Sequence, residues 1–189
     1  MNALYHVAKA AGGAMAEPPH VTVVTDTEGR RYGAWRAVIV RLAADALPGV
    51  DDGTWRLYAN GRTQPHTIKS WPVDQVRTDI LPHLDRGHRV AVTETPWLTR
   101  AGITLTYRIL ERRDGMPVAV DEALWEPLTE LCHQPLWQAG GPLGPLAWAE
   151  DETARAEALL MPVKLMNEPR VPDSYRDMAA RIDGQAVLS

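Results

Sequence analysis

The chain has 189 residues, of which 45% are hydrophobic and 23% charged, and it carries a net charge of −4 at neutral pH. That length can bury one good core, or one core with a small appendage, and the composition is ordinary for a soluble globular protein. A single cysteine, Cys132, excludes an internal disulfide and a multi-cysteine zinc site. No apolar run nears the roughly 20 residues that span a bilayer, so a reducing cytoplasm is the expected location.

Residues 1–16 read as a weakly specified leader, a short Ala-rich helix running into Gly12-Gly13. Ala14-Met15-Ala16 has the outline of a signal-peptidase site, but His6 and Lys9 interrupt any apolar segment ahead of it. His20 to Thr25, HVTVVT, predicts a strand from its β-branched content, and Asp26 to Gly29 a turn. Residues 34–47 fit two patterns. Trp35, Val38, Ile39, Leu42 and Ala46 share one helix face, with Pro48-Gly49 as a stop, whereas AVIV after TDTEGRRY reads as a hairpin's second strand. The helix is the preferred reading. Asn60-Gly61 and, further on, Asp114-Gly115 predict type I′ hairpins, and Pro65 confines its strand to a sheet edge.

The clearest pattern lies in residues 72–112. Val73, Val76, Ile80 and Leu84 recur at helical spacing, Pro72 suits the first turn and Gly87 the stop. Pro82 removes a hydrogen bond, so this helix is expected to bend or end early. His88 to Glu94 and Ile103 to Leu110 alternate as strands buried on one face do, with a loop over 95–102 between them. Beyond, Asp121 can cap a helix whose buried stripe is Leu124, Leu128, Leu131 and Cys132. A Pro/Gly loop follows over 134–146, then an acidic helix over 150–160, an extended stretch over 161–173 and a short helix over 174–182.

These elements predict an α+β fold dominated by antiparallel sheet over residues 17–120, followed by a helical extension with a Pro-rich arm over 121–189. If residues 34–47 are helical, the order is the ferredoxin-like β-α-β-β-α-β plus a hairpin. Charge is uneven: residues 1–113 carry 15 basic and 11 acidic side chains, residues 114–189 carry 5 and 13. Intermixing of the two on one surface is the simplest expectation.

No motif specifies a reaction. His20-Val21-Thr22 matches one copy of the His-x-Thr signature of two-histidine phosphoesterases, chemistry that needs a second such motif, and no other histidine is followed two positions later by Ser or Thr. Cys132 and His133 are helix neighbours, so their side chains diverge by about 100 degrees and form no nucleophilic pair. His83 and His88 stand five apart, which is not a metal-binding helical spacing. No catalytic residue, metal or cofactor is expected.

The strongest binding signal is tryptophan beside arginine: Trp35-Arg36, Trp55-Arg56, and Trp97 with Arg100, extended by Arg108, Arg112 and Arg113. Aromatic faces stack bases and guanidinium groups hold phosphates, although the chain as a whole is acidic. Met161, Val163, Leu165 and Met166, interspersed with prolines, read as an arm that packs on a second chain. The expected function is a non-catalytic binding or assembly module, such as a phage or mobile-element accessory protein, with another protein or a second copy as partner and no membrane. A nucleic-acid binder using the Trp/Arg surface is the alternative. A phosphoesterase centred on His20 is the third reading, and it requires a second histidine close by.

Overall fold

The computed structural model describes residues 3–12, 19–66, 72–85, 87–101, 105–141 and 143–164. Their helices are α1 (Ala3–Gly12), α2 (Val73–Gln75) and α3 (Glu122–Thr129). The strands are β1 (His20–Thr25), β2 (Arg31–Trp35), β3 (Val38–Arg41), β4 (Gly53–Leu57), β5 (Thr63–Pro65), β6 (Arg89–Ala101), β7 (Leu105–Arg112), β8 (Pro117–Asp121), β9 (Leu136–Ala139), β10 (Leu146–Trp148) and β11 (Ala158–Leu160). They form one sheet in the order β5-β4-β1-β2-β3-β11-β10-β9-β6-β7-β8. Every neighbouring pair in it is antiparallel. The fold is therefore sheet-rich, with a few short helices packed on it.

Three of the hairpins share one geometry. In each, a glycine N–H bonds the carbonyl three residues back (Gly29 to Asp26, 3.1 Å; Gly61 to Tyr58, 2.9 Å; Gly115 to Arg112, 2.8 Å). The glycines lie in the left-handed region, at φ 77°, 82° and 80°, while Asn60 and Asp114 do not. These are three-residue loops, a type I turn followed by a glycine bulge, rather than the type I′ turns expected from Asn-Gly and Asp-Gly.

Residues 34–47, expected as a helix, are instead strand and turn, so the ferredoxin-like order does not form. Val38, Ile39 and Val40 pair with β2 on one side and β11 on the other. β-branched side chains with partners on both edges outweigh the helical spacing. Residues 95–102, expected as a loop, continue β6 to Ala101 with a bulge between Glu94 and Leu98. The Pro82 break does occur. The segment starts as one α-helical turn, widens to a π-helical turn over Val76–Ile80 and tightens to a 3-10 helix over Leu81–Asp85, with the Leu81 N–H reaching the Val76 carbonyl. Pro82 has no N–H to sustain an α-helical ladder there.

The largest correction concerns residues beyond 121. The expected loop and acidic helix supply β9, β10 and β11, which lie in the middle of the sheet. Near the expected acidic helix, Asp151 Oδ1 accepts from Thr153 N and Ala154 N (both 2.7 Å), a local turn that competes with helix formation. Residues 174–182 lie outside the described residues.

The result contains an internal repeat that the sequence hides. α1-β1-β2-β3 and α3-β9-β10-β11 are each a helix followed by a three-strand meander. The meanders meet edge to edge through β3 and β11, and α1 packs against α3. One core cluster joins Leu4, Val7 and Ala8 of α1 to Leu124, Trp125 and Leu128 of α3 and to Val21, Val40, Leu146 and Leu160 of the sheet. Residues 3–12 of the expected leader are thus packed into the core. Both helices are shorter than the roughly 12–15 residues needed for stability alone, so this packing is what keeps them folded. Pro127 inside α3 costs about 3 kcal/mol, which three buried side chains at about 1.5–3 kcal/mol each offset. On the opposite face, Val76, Leu81 and Leu84 cover Val24, Tyr32, Ile39, Ala147 and Leu159.

The halves of opposite net charge are interlocked. Asp26, in the β1–β2 turn, accepts from Arg30 Nε (2.9 Å) and from Arg155 NH2 (3.1 Å), and Arg155 NH1 also holds Asp85 at 2.7 Å. Burial opposes the Asp26 charge, but the side-chain and backbone bonds from Arg30 and the Glu28 N–H outweigh it and hold its pKa below the ordinary carboxylate value. Asp26→Asn, which keeps Oδ1 for the turn, is expected to lower the unfolding free energy at neutral pH by about 2 kcal/mol. With a folded pKa below the unfolded one, this contribution is present above the ordinary carboxylate range and lost as pH falls through the depressed value. Urea denaturation at neutral and acid pH should show the gap between wild type and variant closing in acid.

Candidate functional site

An apolar cavity of about 310 Å³ lies beside the junction of the two meanders. Val38, Ile39 and Leu159 form its floor, Ile80, His83 and Pro145 its walls, and Arg36, Ala37 and Met161 its rim. Four separately encoded segments meet there. The β2–β3 turn contributes the rim because Trp35 pairs with Val38, leaving Arg36 exposed at the turn. Met161 is set beside it by a bond from its N–H to the Ala37 carbonyl (2.8 Å), and its side chain remains 46% exposed. The π and 3-10 turns bring in Ile80 and His83, and the chain entering β10 brings Pro145.

Arg89 fixes the wall. Its side chain is 3% exposed, yet NH2 donates to the Leu84 carbonyl (2.8 Å) and NH1 to the Ala154 carbonyl (2.6 Å). The guanidinium so binds the Leu84 carbonyl near the end of the helical segment and ties that segment to the loop before β11. Burial lowers the Arg89 pKa, with Asp85 and Asp151 opposing the shift. The pocket's volume falls at the lower end of the roughly 300–1,000 Å³ typical of ligand sites. Its lining offers no converging carboxylates. Among the described residues no group of three or more His, Cys, Asp or Glu is placed to hold a metal ion.

The tryptophans and arginines singled out in the sequence are dispersed. Trp35 is 5% exposed and belongs to the core, while Arg36 lies on the pocket rim. Trp55 is half-buried and donates to the Asp51 carbonyl (3.0 Å), and Arg56 donates to His66 Nδ1 (3.0 Å). Trp97 and Arg100 are exposed on the far part of β6, with Leu98 and Leu105 exposed nearby. Arg108 is held by Glu122 through two bonds and by Glu94 at 2.7 Å. Arg112 is buried between Asp114 (2.8 Å), Gln138 (3.3 Å) and the Gly140 carbonyl (2.9 Å). Arg113 is exposed. Two of these guanidinium groups, Arg108 and Arg112, are thus already paired with carboxylates.

Of the expected partner arm, Met161 and Val163 have backbone bonds within this domain. The Val163 N–H reaches the Ala119 carbonyl (2.8 Å), and its side chain packs on Tyr107, Ile109 and Ala119. Leu165 and Met166 lie outside the described residues. Met161 nevertheless lines the pocket, so two residues selected from the sequence for different reasons, Arg36 and Met161, share one rim. Nothing in the sequence joined Ile80, His83, Pro145 and Leu159 to one site, since their convergence depends on pairing across more than a hundred residues.

A second histidine, His66, lies close to His20, although it does not belong to a second His-x-Thr motif. Its ring centroid is 5.3 Å from that of His66, and burial lowers both pKa values, with Arg56 and His20 adding to the shift at His66. Elsewhere, burial pushes the Cys132 thiol up to about 12, with Glu157 contributing. Among the described residues no helix is long and apolar enough to cross a membrane. No protein-family model matches the chain, and no curated protein and no solved structure is detectably similar to it.

A thiol that is both protonated and buried should ignore electrophiles. A chromogenic disulfide reagent is expected to label Cys132 at a negligible rate in the native protein and quickly in concentrated urea. Rapid native labelling would contradict the packing described.

Proposed function

We propose that this protein is a non-catalytic binding module that seats a short apolar segment of a partner protein in the pocket between Arg36 and Met161. The supporting observation is the pocket itself, where aliphatic side chains from distant parts of the chain surround a space open at Met161. Pockets of this kind take bulky side chains that leave water on binding, the usual anchors of a protein contact. The exposed Arg36 at the rim favours a partner segment with an acidic flank. The floor is rigid, since Val38, Ile39 and Leu159 are all paired within the sheet, so little ordering cost falls on this protein.

The test uses random linear peptides displayed on phage and selected on the full chain, with selected sequences resynthesised and measured by fluorescence anisotropy. Peptides with one or two bulky apolar residues should be enriched. Met161→Glu should weaken them by about tenfold or more, roughly 1.4 kcal/mol, because a carboxylate would stand at the mouth. Met116→Glu, at a side chain 42% exposed in the β7–β8 turn and not among the residues lining the pocket, should leave them unchanged. Absence of enrichment, or equal binding to all three proteins, removes the proposal.

A further inference from the structure

At the other end of the sheet, β1, β4 and the residue after β5 gather a polar group on the face opposite α1 and α3. Register pairs His20 with Arg56 and Thr22 with Thr54, so these four side chains form a square on one face, while Val21 and Trp55 point to the core. Thr22 is 1% exposed and its hydroxyl lies 3.3 Å from that of Thr54, making a polar floor. His66 follows Pro65 and is fixed by its N–H bond to the Thr54 carbonyl (2.9 Å). That anchor lets its ring reach both Arg56 and His20.

The charges in this group are unbalanced. Arg56 uses Nε on His66, and among the described residues no carboxylate pairs with it. In contrast, Arg30, Arg41, Arg77, Arg108, Arg112 and Arg155 all have carboxylate partners. The nearest acidic residue along β4, Asp52, is already held by Arg77 (2.7 Å) and Thr25 (2.6 Å). Since His66 Nδ1 accepts from Arg56, its proton sits on Nε2, which is a second donor of fixed orientation. The terminal nitrogens of Arg56 remain as a planar two-pronged donor, the geometry that matches a tetrahedral oxyanion.

We propose that Arg56, His66 and His20 form a binding site for a phosphate group, with the Arg56 fork and the His66 Nε2–H as donors and the His20 imidazole as the third wall. A phosphate placed there would supply the missing counter-charge and would favour the protonated form of the His20 imidazole, while His66 stays neutral with Nδ1 on Arg56. This site is separate from the apolar pocket, and its success or failure does not depend on that reading.

The experiment follows the histidine ring resonances of the full chain by NMR during titration with inorganic phosphate, with phenyl phosphate and, as a monoanionic diester, with dimethyl phosphate. Saturable shifts of His20 and His66 are expected with inorganic phosphate, and they should be absent with equal ionic strength of chloride. Phenyl phosphate binding as well as or better than phosphate would indicate an esterified ligand, and phosphate alone a free ion. Arg56→Ala should abolish saturation. Arg56→Gln, which keeps a donor for His66 without the charge, gives the same answer if the alanine variant does not fold. Met161→Glu should titrate like wild type. Shifts that never saturate, that chloride reproduces, or that persist in a folded Arg56 variant overturn the proposal.

Discussion

The antiparallel seam between β3 and β11 governs the molecule. Val40 faces Ala158, Ile39 faces Leu159 and Val38 faces Leu160, and these pairings alone make one sheet of the N-terminal and C-terminal strands. Without them α1 and α3 would lose the common floor on which they meet. The apolar pocket would lose its base as well, since Val38, Ile39 and Leu159 are residues of the seam. Closing so long a loop carries an entropic cost that rises only slowly with length, and burial along both faces of the seam offsets it. Arg41 adds a reinforcement at one end, with its N–H on the Glu157 carbonyl (2.7 Å) and its guanidinium on the Glu157 carboxylate (3.0 Å).

Local sequence carried the parts whose structure is decided locally. The β-branched run at His20, the strands expected over 88–94 and 103–110, the cap at Asp121 and the break at Pro82 all depend on a few neighbouring residues, and each has its counterpart among the described residues. Burial does not follow the expected one-faced alternation, since Arg89 and Leu110 are buried and Leu105 is exposed. The glycines after Asn60 and Asp114 marked real turns, but the turn type depends on how the flanking strands pair, which no dipeptide specifies.

Strands β9, β10 and β11 were hidden for a different reason. They are three or four residues long, lie between Pro/Gly and acidic stretches, and are stabilised by neighbours far away in the chain. Ala147 and Ala158 have weak strand preference, and only burial from both faces makes them strand residues. The candidate site inherits this. Arg36 and Met161 were visible individually, one as a cation beside an aromatic and the other as an apolar residue among prolines. Their adjacency follows from the seam, not from either local sequence.

The sheet's two outer strands differ from those that commonly cause aggregation. β5 is three residues long and ends in Pro65, which has no N–H to offer an incoming chain. β8 is partly blocked, since its Ala119 carbonyl is taken by the Val163 N–H. Joining another polypeptide by strand addition is therefore unfavourable at either margin. At these two margins recognition through side chains is favoured over extension of the ladder, so specificity there is carried by residues that can change without disturbing the backbone that displays them.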